Sequence, residues 1–170
     1  MPTFAKLWST HPNVTREEPL LDPKVYENQC AINLGAALIR SGVDMQSYNG
    51  AWSWEKNKPK YPIRAQELAN WLSSGAARLP AKVEKFGGKE AFGRVEGKKG
   101  MTGRTGIAFF QNYWGTGMQG DHIDLWNGSR MTDWRTWARI NLRVADYGLH
   151  NLGAGSDFQK AQSIWFWAVT

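Results

Sequence analysis

The order in which helical and strand-like segments follow one another constrains this chain more than any single residue. Segments with apolar residues at helical spacing come first, and short apolar or alternating runs bounded by glycine come late. Thr3 to Ser9 is expected as a short helix capped by Thr3, with Phe4, Leu7 and Trp8 on its apolar face and His11-Pro12-Asn13 ending it. Ala31 to Arg40 holds Ala, Leu and Ile without proline, and Gly42 supplies its stop. Arg64 to Leu72 reads as a further helix. Strands are expected at Gly106–Gln111, at Asp121–Trp126 and at Ile164–Val169. Gly115-Thr116-Gly117 and Asn127-Gly128 read as turns, while Asp133–Asn141 fits either a strand end or a short helix. Helices first and clustered strands later describe an α+β fold, with N-terminal helices packed on an antiparallel sheet.

Length and cysteine use narrow the options further. At 170 residues the chain can bury a core without staples, and residues 1–170 contain no repeat or linker, so one catalytic domain is expected. A single cysteine excludes an internal disulfide and a zinc site built from several cysteines, and no metal or cofactor is expected. No segment reaches the ~20 apolar residues that cross a bilayer. The N-terminus lacks a basic stretch followed by an apolar run, so no signal peptide is expected, and any export would use a route that needs no cleaved signal. The net charge of +6 favours polyanions, which include nucleic acid, anionic membranes and acidic cell-wall polymers, and does not choose among them. Residues 82–104 are basic and glycine-rich but lack the glycine spacing of a phosphate loop, and read as a solvated loop. Most of the ten tryptophans are assigned to the core.

The chemistry gathers on Glu27-Asn28-Gln29-Cys30-Ala31-Ile32, where loop turns into helix. With Asn28 as the N-cap, Cys30 falls in the first turn, where free amides and the helix dipole favour a thiolate. The competing reading is a small buried hydrophobe. A nucleophilic thiol needs an imidazole in reach. His11 reads as a surface residue and His150 as turn material. His122 lies on the polar face of an expected strand and is the preferred base. Two aspartates compete to orient it. Asp124 shares its face but stands about 7 Å along the strand, while Asp133 can return beside it after the Asn127-Gly128 turn and is favoured. The oxyanion would meet the Cys30 N–H and one side-chain donor, with Gln29, Asn28 and Tyr26 unranked.

Asn28-Gln29-Cys30-Ala31-Ile32, followed by Gly120-Asp121-His122-Ile123-Asp124-Leu125-Trp126-Asn127-Gly128 and a final Ile164-Trp165-Phe166-Trp167, resembles the type VI secretion amidase effectors of family four. The resemblance runs from about Phe4 to Thr170. It implies a papain-like fold of the NlpC branch, with Cys30 as nucleophile, His122 as base and Asp133 as orienting acid. It also implies hydrolysis of the γ-D-glutamyl–diaminopimelate bond of the peptidoglycan stem in the periplasm of target bacteria, delivery by the type VI apparatus, and a cognate immunity protein. The glycine-rich insert before the first strand is longer than the family pattern leads one to expect. Two other readings compete. One keeps the triad and cuts the D-alanyl cross-link or the muramoyl-alanine amide. The other is a basic nucleic-acid-binding module using residues 82–104, whereas the effector reading expects neither nucleic acid nor membrane as a partner.

Overall fold

The computed structural model describes residues 1–93, 99–114, 120–133 and 161–170. Helices α1 (Phe4–Thr10), α2 (Pro12–Thr15), α3 (Cys30–Arg40) and α4 (Ala65–Ser73) precede strand β1 (Glu84–Phe86) and helix α5 (Gly88–Ala91). Strands β2 (Thr105–Trp114), β3 (Gly120–Asn127) and β4 (Ser163–Ala168) follow. The described strands form one antiparallel sheet in the order β1-β4-β2-β3. This is the α+β arrangement expected from the order of segments. The Gly115–Gly117 turn, residues 134–141 and His150 lie outside the described residues.

Side chains alternate strictly across the sheet. Ile107, Phe109, Ile123, Leu125 and Trp167 join the core formed with α1, α3 and α4. Ala108, Phe110, Trp126, Ile164 and Phe166 face the other way, onto Ala91, Met101 and Met131. Successive strand residues point to opposite faces, so a sheet covered on both sides buries both sets. That explains why β3 departs from expectation. Its polar residues were assigned to a solvent face, yet Asp124 is 2% exposed.

Helix α3 is buried along Ala31–Leu38 because it has core on opposite flanks. Leu34 and Leu38 enter the sheet-side core, and Ile32 and Ala36 pack with Leu21, Tyr26 and Tyr61. Its small residues permit close approach: a Cβ on Gly35 would lie 2.6 Å from Pro62 Cδ. Ser41 caps the helix and Gly42 follows at φ +82°, as the glycine stop requires. At the other end Gln29, not Asn28, is the N-cap, and no side chain caps the helix there.

In its described residues, 82–93 and 99–104, the basic segment is more ordered than the solvated loop expected of it. It supplies edge strand β1 and short α5, and Arg104 forms a two-pronged ion pair with Glu84. Lys85 Nζ lies 3.5 Å from the centre of the Trp165 ring. Periodicity cannot reveal a three-residue strand whose pairing partner lies far along the chain.

Candidate active site

A cleft of about 210 Å³ opens where the start of α3 meets edge strand β3. Cys30, His122 and Asp133 all line it, although they come from a helix start, a strand and a turn. Asn28, Gln29, Asn13, Asn33, Glu18, Glu27 and Asp121 complete the described lining. The ionisable groups added there are carboxylates, so the chain's overall positive charge does not describe its cleft.

Cys30 is the first residue of α3. The backbone amides of Ile123, Ala31 and Cys30 itself act on its thiol in the direction that favours the thiolate. Ile123 can donate because β3 is the outer strand of the described sheet, and outward amides of an edge strand have no ladder partner. Burial nevertheless outweighs these amides, and Asp124 adds repulsion, so the thiol is pushed up to about 11. The helix start does not by itself yield a thiolate, contrary to the expectation from sequence.

Opposite it, the His122 side chain is 18% exposed. Burial pulls its imidazole down to about 4, and Asp133 is the charge opposing that shift. Both shifts favour the neutral form of their group at pH 7.

The two aspartates occupy different surroundings. Gly128 takes φ +97°, Asn127 Oδ1 accepts from the N–H groups of Ser129 and Arg130, and Met131 bridges back to Trp126. This turn returns the chain along β3 and brings Asp133 to the cleft. Asp124 points into the protein. Its carboxylate accepts from Leu125 N–H at 2.7 Å, Thr132 N–H at 3.1 Å and Thr132 Oγ1 at 2.6 Å. Burial still pushes its pKa up to about 7. Asp124 Oδ2 lies 3.9 Å from His122 Nε2, so distance alone would not dismiss it. Its oxygens are engaged with the turn, however, and Asp133 is the charge that acts on His122.

Among the oxyanion candidates, Gln29 directs its amide nitrogen to the carbonyls of Tyr26 at 2.8 Å and Leu21 at 3.3 Å, which pins the loop before α3. The Tyr26 hydroxyl accepts from Trp54 N–H, and Tyr26 is buried behind the helix. Asn28 lines the cleft.

His11 is not the surface residue it resembled in sequence. It is 1% exposed, N-caps α2 through Nδ1, and turns Nε2 toward Asp124 Oδ1 at 3.3 Å. A proline directly after it, at the first helical position, was the available sign of a helix start.

A family model described as type VI secretion system amidase effector protein 4 matches residues 26–167. Several solved structures are similar over the whole chain. The effector–immunity complex Tae4–Tai4 from Enterobacter cloacae matches at TM-score 0.62 and 17% identity, covering 100% of this chain and 99% of that one. The Salmonella Typhimurium complex matches at 0.62 and 13%, with coverage of 100% and 99%. The effector Tae4 from Enterobacter cloacae alone gives 0.60 and 19%, with coverage of 100% and 98%. At these identities the likeness establishes the fold. No curated protein matches the chain in sequence.

Proposed function

The chain belongs to the type VI secretion amidase effector family 4, and from that premise we propose that residues 1–170 act as one cysteine endopeptidase on the peptidoglycan stem. The bond it cuts is the one between D-glutamate and diaminopimelate. The observation that carries this reading is the meeting of Cys30, His122 and Asp133 in one cleft from three separate segments.

In this reading His122 takes the Cys30 proton as sulfur attacks the γ-D-glutamyl carbonyl carbon. The resting pair is neutral, so deprotonation accompanies attack. The carbonyl oxygen becomes an oxyanion held by the Cys30 N–H at the start of α3. Asn28 is the side chain best disposed to assist, because the Gln29 amide nitrogen is engaged with carbonyls. Asp133 stabilises the imidazolium and sets its orientation. Collapse breaks the C–N bond, His122 protonates the leaving amine of diaminopimelate, and water then hydrolyses the thioester with His122 again as base. Action takes place in the target cell's periplasm after type VI delivery, and a cognate immunity protein restrains the enzyme in the producer. Tae4–Tai4 complexes among the similar structures support that last point.

Mass spectrometry of digested sacculi tests the assignment. The expected products carry a new diaminopimelate amine and a free D-glutamyl γ-carboxylate, and disappear with Cys30→Ala. Release at the D-alanyl cross-link or at the muramoyl-alanine amide would transfer the triad to that bond. Undiminished digestion by Cys30→Ala would remove the cysteine mechanism.

A further inference from the structure

A chain of polar side chains runs from the wall of the cleft inward and reaches an element that the family match, beginning at residue 26, does not include. It starts at Asn33, one turn after Cys30 on α3, whose Nδ2 donates to Asn13 Oδ1 at 3.0 Å. Asn13 Nδ2 donates to Thr132 Oγ1 at 3.0 Å. Thr132 in turn donates its hydroxyl and its N–H to Asp124, and His11 Nε2 faces the same carboxylate. Asn33, Thr132, Asp124 and His11 are all buried. Both ends of the Asn13 amide are used, so its orientation is defined: oxygen toward the cysteine helix, nitrogen toward the turn that carries Asp133.

We infer that His11 and Asn13 are positioning residues for the proposed reaction. Through Thr132 and Asp124 they hold the Asp133 turn in register with the Cys30 helix. This rests on the catalytic reading of the cleft. Each link follows from donor and acceptor chemistry. His11 Nδ1 accepts the Asn13 N–H at 3.3 Å, so in the neutral ring the proton is on Nε2, which lies 3.3 Å from Asp124 Oδ1 without hydrogen-bond geometry. Burial and the neighbouring His122 and Arg40 hold His11 down to about 3, which keeps that tautomer neutral at working pH. The bridge between Met131 and Trp126 ties the turn to β3, and the network ties it to α3. A displacement of about 1 Å of an orienting group is enough to cost catalysis severely.

The test is a double-mutant cycle on soluble muropeptide, with kcat and KM measured separately. His11→Leu is expected to lower kcat about tenfold, with KM within about twofold, and His11→Gln, which can both accept and donate, should restore most of it. In an Asp133→Ala background the same His11→Leu change should cost less than about twofold, because its effect passes through Asp133. Equal losses in both backgrounds, a change in KM alone, or no loss at all would overturn the inference. If His11→Leu does not fold, Asn13→Ala runs the same cycle, since Asn13 is only partly buried. A KM-only effect there would mean that Asn13 touches substrate instead. Active Cys30→Ala would defeat the catalytic reading itself, whereas dead Cys30→Ala with an additive cycle would defeat only the positioning role.

Discussion

Cys30 and His122 line one cleft, with the thiol pushed up to about 11 and the imidazole pulled down to about 4. A preformed thiolate–imidazolium pair would instead place the thiol well below its usual value. Alkylation of the resting protein by iodoacetamide is therefore expected to be slow at pH 7 and to climb through pH 8–10. A plateau reached by pH 7 would show an ion pair. The aspartates give a second expectation at this scale. Asp133→Ala should lower kcat by about a hundredfold or more while shifting the urea midpoint little. Asp124→Ala strands the donors Leu125 N–H, Thr132 N–H and Thr132 Oγ1, and should cost roughly 2–4 kcal/mol of stability. Where Asp124→Ala is folded it should keep more activity than Asp133→Ala, and the opposite ranking would move the orienting role to Asp124.

Among the elements, α3 does the most to position chemistry, because its buried length fixes where its first residue sits. Tight packing against Pro62 constrains it through Gly35. Alanine is a better helix former than glycine by about 1 kcal/mol, so propensity alone would make Gly35→Ala stabilising. The added Cβ would meet the proline ring at 2.6 Å, and that ring is held by an isolated bridge between Pro62 and Trp52. Overpacking of this kind typically costs 1–3 kcal/mol. Gly35→Ala is accordingly expected to lower the thermal midpoint and to reduce activity by moving Cys30. A raised midpoint would show that the Pro62 loop yields freely. The basic 82–104 segment is instructive in the same way. Arg104 and Lys85 engage Glu84 and Trp165, so part of a charge run that invited a polyanion reading serves the sheet.

For the whole molecule, the buried titratable groups set how stability depends on pH. An unfolded histidine binds a proton below about 6.5, but folded His122 and His11 do so only near 4 and 3. The unfolded chain thus holds more protons, and stability rises with pH through this window. Asp124 acts oppositely: folded, it keeps its proton to about 7, whereas an unfolded aspartate loses it near 4. Two groups against one leave a net rise in stability from about pH 4 to 6.5. Urea midpoints measured across that range should increase, and His11→Gln should flatten the series. A midpoint that fell over the same range would contradict the buried neutral state of the histidines.

Local pattern determined the α+β class, the helix that begins at Cys30, its glycine stop, the three longer strands and the turn before Asp133. Each depends on spacing within a few residues, which sequence displays directly. It also brought forward Cys30, His122 and Asp133, since the motifs around them are short and contiguous. Tertiary structure alone decided that β4 runs between β1 and β2, that the polar side of β3 is covered, and that His11 is buried against Asp124. It also decided the resting charge of the thiol and the imidazole, because desolvation comes from residues far away in the chain. A dipole at a helix start can be read from sequence; the burial that outweighs it cannot.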